Sequence, residues 1–160
     1  MDEVLTIDGA VKAPARLTMA DLAALDARHQ VADVSTLDPK RAGSAVRLQG
    51  LLERVGATSD VRWLTLHAAL DDFHASIPLE AVRERGVLIY ALQGAPLPRQ
   101  AGGPFRFFIP DFAACHTHEI DECANVKFVD RIELSADRGV DNRPHDGAQH
   151  EALHRREASS

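Results

Sequence analysis

Apolar and polar residues alternate along VLTIDGAV up to Asp8-Gly9, the pattern of a half-buried strand that runs into a turn or a second strand. Beyond Thr18 the spacing changes. Leu22 and Leu25 share one face, Thr18 can cap and Asp21 takes the third helical position, so LTMADLAALD predicts a short helix. HQVADVSTL is β-compatible, and DPKRAGS is polar and turn-rich. In AVRLQGLLERVGA, Val46, Leu48, Leu51, Leu52 and Val55 return at helical spacing before Gly56, which predicts a second helix. RWLTLHAAL then reads as a strand, DDF as a turn, and SIPL as the entry to a short helical segment, Leu79 to Arg85. GVLIYAL is a continuous apolar run, the pattern of a strand buried on both faces. GAPLPRQAGGP is a Gly/Pro loop without regular structure, FRFFIP a further interior strand, and the alternating VKFVDRIELS the last one. No internal repeat appears.

Composition narrows the class. At 160 residues and 45% apolar, the chain is most simply one domain with a real core. The pattern places that domain at residues 1–135, followed by a polar tail, 136–160, in which HDGAQHEALHRRE offers a short helix with only Ala148, Ala152 and Leu153 as apolar residues. The net charge of −6 is dispersed rather than segregated, so there is no basic stripe for a nucleic acid. No apolar run reaches the length of a membrane span and no signal-peptide hydrophobic region opens the chain, so neither membrane nor export is expected and a cytoplasmic location is. Two cysteines are too few for a disulfide framework.

Candidate chemistry concentrates in ACHTHEIDECANVKF, which carries Cys115, His116, His118 and Cys123 in the spacing C-H-x-H-x4-C. Thiolate and imidazole suit a tetrahedral zinc ion, but the two C-x2-C knuckles of common structural zinc sites are missing. A disulfide between the two cysteines and an ordinary loop stay open as alternatives. In the tail, His150-Glu151-Ala152-Leu153-His154 fits H-E-x-x-H, although no third ligand follows, so its remaining use is to complete a site begun by Cys115 and His118. His67 and His74 flank the DDF turn; His67 on its strand reads as a half-buried histidine with one backbone hydrogen bond. Asp71 and Asp72 are adjacent and point apart, so they make no paired-carboxylate site.

From Val4 to Leu134, the succession LTIDGAVKAPARLTMADLAAL, VRLQGLLERVGA, GVLIYALQGAPLPRQAGGPFRFFIP and NVKFVDRIEL resembles the molybdopterin-binding domain of sulfite oxidases and related bacterial molybdenum oxidoreductases. The most specific pieces are GGPFRFFIP and VKFVDRIEL. The resemblance implies an α+β fold with a mixed, largely antiparallel, partly barrel-like sheet and short helices. It implies molybdopterin as cofactor and assigns Arg106 and Lys127 to the pterin phosphate or a substrate oxyanion. A guanidinium and an ammonium on neighbouring strands would converge on such a group. Three departures matter. The family's molybdenum-ligating cysteine has Asp33, Val34 and Ser35 in its place, Ala101 stands where many members have histidine, and CHTHEIDEC is inserted ahead of the last strand. An oxygen ligand does not replace a soft thiolate. Three readings follow: a molybdopterin-dependent oxidoreductase or its cofactor-binding remnant, with a small anion or pterin as partner; a non-enzymatic zinc-type module; and a cofactor-free interaction domain.

Overall fold

The computed structural model describes residues 3–110 and 125–143. The chain opens with β1 (Leu5–Gly9), which pairs antiparallel with β2 (Ala15–Leu17). Gly9 ends β1 at φ +96°, where a Cβ would stand 2.2 Å from the Leu134 carbonyl oxygen, so only glycine fits. Helix α1 (Met19–Ala23) starts on a capping box: Thr18 Oγ1 accepts from the Asp21 N–H and the Asp21 carboxylate accepts from the Thr18 N–H. The next strand is brief, β3 (Gln30–Val31), with single 3-10 turns at Ala27–His29 and Val34–Thr36 on either side.

The run AVRLQGLLERV divides in two. Ser44–Arg47 is strand β4 and only Leu48–Val55 is helix, α2, which ends on Gly56 in the left-handed conformation. Its apolar spacing suits a helix, but the Leu48 N–H is claimed by the Gly86 carbonyl and Ala45 and Val46 pair with the neighbouring strand. β5 (Trp63–Ala68) and β6 (Phe73–Pro78) form a hairpin around a 3-10 turn at Ala69–Asp71, and α3 (Leu79–Val82) follows. β7 (Val87–Leu92) is the expected buried strand. Even GAPLPRQAGGP holds local order: β8 (Ala95–Pro96) and a 3-10 turn at Arg99–Ala101. β9 (Arg106–Phe108) is shorter than FRFFIP, and β10 (Arg131–Ser135) occupies only the second half of VKFVDRIELS, because Phe128 sits at φ +59° and breaks the extended run.

These strands make two five-stranded sheets, and among the described residues neither closes into a barrel. The first has the order β2-β1-β10-β5-β6; the second runs β3-β4-β7-β8, with β9 also pairing β7. All pairs are antiparallel except β1 with β10. The main core lies between the sheets and joins Leu5, Ile7, Leu64, Leu66, Ile132 and Leu134 to Leu51 and Val55 of α2, Leu88 of β7 and Phe107 of β9. A second cluster on the far side of β7 holds Val31, Val34, Ala45, Val87, Ile89, Leu97 and Phe108. This arrangement explains the unbroken apolar run of β7, since Leu88 and Tyr90 face one cluster and Val87 and Ile89 the other.

Beyond β10, residues 136–143 lie against the outer face of the first sheet and reach its edge strand β6. The Ser76 N–H donates to Asp141, the His74 N–H to the Asn142 side chain, and the Asn142 N–H to the His74 carbonyl. An edge that would otherwise present open N–H and C=O groups is thereby covered. The helix expected in HDGAQHEALHRRE lies outside the described residues. No helix among the described residues is long and apolar enough to cross a membrane.

The anchor of this strap is a buried pair: Arg143 Nη2 donates to Asp141 Oδ2 at 2.7 Å, with both side chains less than 5% exposed. Burial pushes the Asp141 carboxyl up. The Arg143 side chain, the Arg143 and Ser76 backbone donors and the Arg143 charge outweigh it and hold the carboxyl below its ordinary value. A carboxyl lowered on folding contributes stability that is complete above its unfolded value of about 3.9 and is lost as pH falls through the lower folded value. Asp141→Asn is expected to cost about 3 kcal/mol near neutrality in denaturant unfolding. The deficit should shrink below about pH 3.9, where the parent loses the same interaction.

Candidate anion-binding site

Two sequence features at the turn before β9 decide the local geometry. Gly102 closes the Arg99–Ala101 turn at φ +96°, and Gly103 lies so close to Leu97 that a Cβ would stand 1.8 Å from its carbonyl oxygen. Neither position tolerates a side chain. The space above Gly102 is taken instead by two cationic stems, since a Cβ there would meet Arg106 Cδ at 2.9 Å and Lys127 Cγ at 3.1 Å. The Phe128 N–H donates to the Gly102 carbonyl at 2.8 Å and the Val129 N–H to the Phe105 carbonyl at 2.9 Å, which hold the Lys127 segment against the turn. Arg106 and Lys127 thus both lie over Gly102. Lys127, however, stands exposed on the irregular stretch ahead of β10 rather than on a strand.

A third cation lies close by. Arg41 comes from the polar stretch DPKRAGS, and its guanidinium carbon lies 5.3 Å from the centre of the Phe108 ring, on the strand that begins with Arg106. The two guanidiniums are close enough to interact: burial, and then the charge of Arg41, pull Arg106 below the usual arginine value. Arg106 Nη1 donates to the Ala101 carbonyl at 3.2 Å, but the Nε atoms of Arg106 and Arg41 are both buried without a partner. No carboxylate among the described residues pairs with Arg41, Arg106 or Lys127. Buried guanidinium donors are expensive to leave unsatisfied, and like charges together raise the cost. An anion would meet both demands. The only hint in the sequence was two basic residues, Lys40 and Arg41, in a run that otherwise resembles a solvated turn.

Asp33 and Ser35 flank Val34, which packs with Leu97, Phe108 and Ala101 in the second cluster. Asp33 is exposed and already engaged: its Oδ1 accepts from the Ser35 N–H at 2.9 Å and from Ser35 Oγ at 2.6 Å. Those hydrogen bonds lower its carboxyl from the ordinary value.

The metal candidates Cys115, His116, His118 and Cys123, together with His150 and His154, lie outside the described residues. Among the described residues, no group of three or more His, Cys, Asp or Glu is arranged to hold a metal ion. His67 departs from the expected backbone-bonded histidine, because its ring nitrogens meet His74 and Glu133 side chains instead.

A family model described as the oxidoreductase molybdopterin binding domain matches residues 3–142. The chain belongs to this family. Among solved structures, the sulfane dehydrogenase SoxCD from Paracoccus pantotrophus is similar in fold, with 21% identity and a TM-score of 0.61. The match covers 85% of this chain and 39% of that one, so the chain spans well under half the length of this neighbour. No curated protein matches.

For a molybdopterin-binding domain, the residues present fit one end of the cofactor. Arg106 and Lys127 beside a side-chain-free Gly102, with the charge of Arg41 reaching Arg106, suit a phosphate, and unsatisfied donors are already in place. Among the described residues there is no cysteine, and the Asp33 carboxylate accepts from the Ser35 N–H and Oγ.

If the three cations form an anion cradle, Arg41 is not needed for folding. Losing its contact with Phe108 costs about 0.5–1 kcal/mol, and relief of repulsion with Arg106 offsets that. Arg41→Gln should therefore leave the anion-free melting temperature nearly unchanged while reducing the rise produced by pyrophosphate, both read by thermal shift.

Proposed function

We propose that this domain holds a molybdopterin-type cofactor by its phosphate, through Arg106, Lys127 and Arg41, and that it does not carry out sulfite-oxidase-type turnover. The observation that carries the first part is two buried, partnerless Nε atoms, one on Arg106 beside Gly102 and one on Arg41, whose charge reaches Arg106. A folded protein rarely keeps two such donors in one place without something to accept from them. Two planar guanidiniums can each present Nε–H to a phosphate oxygen, while the exposed Lys127 adds a mobile charge at the rim.

The second part rests on Asp33. The cofactor, when bound, brings the molybdenum that performs the redox chemistry. This chain's own contribution is to seat the phosphate and orient what is attached to it. The resemblance aligns the family's thiolate ligand with the segment Asp33–Ser35, where the side chains are oxygen donors and Asp33 is tied to Ser35. A hard carboxylate neither holds nor tunes molybdenum as a thiolate does. Cofactor retention and turnover are therefore separable in this chain.

The test is expression in a host that makes molybdopterin, followed by pterin fluorescence and molybdenum per chain. The parent should carry pterin in near-stoichiometric amount without sulfite-dependent electron transfer. Arg106→Met and Lys127→Met should each retain about tenfold less, the consequence of losing one charge-assisted hydrogen bond. A parent devoid of pterin, or variants that retain as much as the parent, would contradict the reading.

A further inference from the structure

The outer face of the first sheet carries a second constellation. His67 on β5 and His74 on β6 are directly opposed across the hairpin, and their Nδ1 atoms face each other at 2.8 Å. Each ring is fixed from behind by a carboxylate: His67 Nε2 lies 3.0 Å from Glu133 Oε1 and His74 Nε2 lies 3.1 Å from Asp72 Oδ1. The rings meet edge-on, at 69° between planes. Glu133 is held in turn, since Arg131 approaches it at 3.6 Å while bonding Asp8 at 3.0 Å.

Proton placement follows from the acceptors. A carboxylate only accepts, so each Nε2 carries a hydrogen, and a neutral imidazole with a hydrogen on Nε2 has a lone pair on Nδ1. Two lone pairs would then point at each other across 2.8 Å, which is repulsive unless something positive lies between them. One proton suffices, and the observed separation is that of a hydrogen bond. The same arrangement, with each imidazole donating its outer N–H to a carboxylate, is how proteins orient and enrich histidines that ligate metal. The surrounding charge favours a cation. Asp72, Glu133 and Asp8 lie along this face and Asp130 accepts from the Ala69 N–H, against the single cation Arg131 among these contacts. From the strap, the neutral Asn142 side chain accepts from the His74 backbone N–H.

We propose that His67 and His74 form a two-imidazole site for one divalent transition-metal ion of the zinc type, which displaces the proton shared in the metal-free chain. Zinc–nitrogen bonds of about 2.0–2.1 Å in tetrahedral geometry place two donor nitrogens about 3.3 Å apart, so the rings need open by only about half an ångström. His74 is positioned to move: its side chain is 22% exposed and its carboxylate partner Asp72 is 92% exposed. The remaining coordination positions go to water. Binding is balanced as one ion taken up and the shared proton released to the buffer.

The experiment is a Zn²⁺ titration of the full chain by calorimetry in buffers of different ionisation enthalpy, with long-range nitrogen-15 spectra of the imidazoles. The spectra separate this site from any other zinc ligands in the chain. The Nδ1 resonances of His67 and His74 should shift together at one equivalent, with about one proton released per ion at that site. His74→Gln should abolish this step, and Glu133→Gln should weaken it about tenfold by loosening the His67 ring. His67→Gln serves as a second check, with folding verified by circular dichroism for every variant. Unmoved His67 and His74 resonances, or stoichiometry identical in the parent and His74→Gln, would show that the pair holds a proton only and would overturn the proposal.

Discussion

The insertion of β10 between β1 and β5 is the constraint on which the rest of the molecule depends. A strand from near the end of the described chain pairs in parallel with the first strand, Thr6 with Arg131 through Gly9 with Leu134, and antiparallel with β5 on its other side. Without it the first sheet would be two separate hairpins, each with an exposed apolar face, and two-stranded pieces are marginal in water. Ile132 and Leu134 close the core between the sheets. The same insertion fixes what lies just before and after it: Lys127 is pressed against Gly102, and residues 136–143 are laid along β6.

Both constellations inherit their geometry from that pairing. The cation cradle takes Arg106 from the second sheet, Arg41 from the loop ahead of β4, and Lys127 from the approach to β10, so it joins the two sheets at one end. The histidine pair is internal to the β5–β6 hairpin, but Glu133, the group that orients His67, belongs to β10. The cradle is a cluster of positive charge without its anion, and the hairpin face is a cluster of acceptors around two imidazoles. Each is costly to the folded chain alone, and an oppositely charged ligand relieves the cost.

Much of this framework was legible in the residues. The Thr18 capping box, the stop at Gly56 and the buried run of β7 depend on neighbours in sequence, and each stands where the pattern put it. What was not legible depends on partners far along the chain. Ser44–Arg47 carries helical spacing but is claimed by β7, and VKF is lost to β10 because Phe128 takes a positive φ while its N–H reaches back to Gly102. Arg41 looked like one charge in a solvated turn because nothing local reveals that it lies over Phe108. His67 looked self-sufficient because the sequence shows neither its opposition to His74 nor the approach of Glu133 from the far strand. The family framework itself, from GGPFR to VKFVDRIEL, was visible as a resemblance, and the match over residues 3–142 bears it out.

The central claim is that the buried, unsatisfied Nε donors of Arg41 and Arg106 are an anion seat and not a local packing cost. The most direct measurement is a crystal structure of the chain grown with pyrophosphate or with released molybdopterin. A phosphate group within hydrogen-bond reach of both Arg41 Nε and Arg106 Nε, with Lys127 turned toward it, is the predicted result. Phosphate bound elsewhere, with both Nε atoms bonded to carboxylates or carbonyls of the chain, would contradict it.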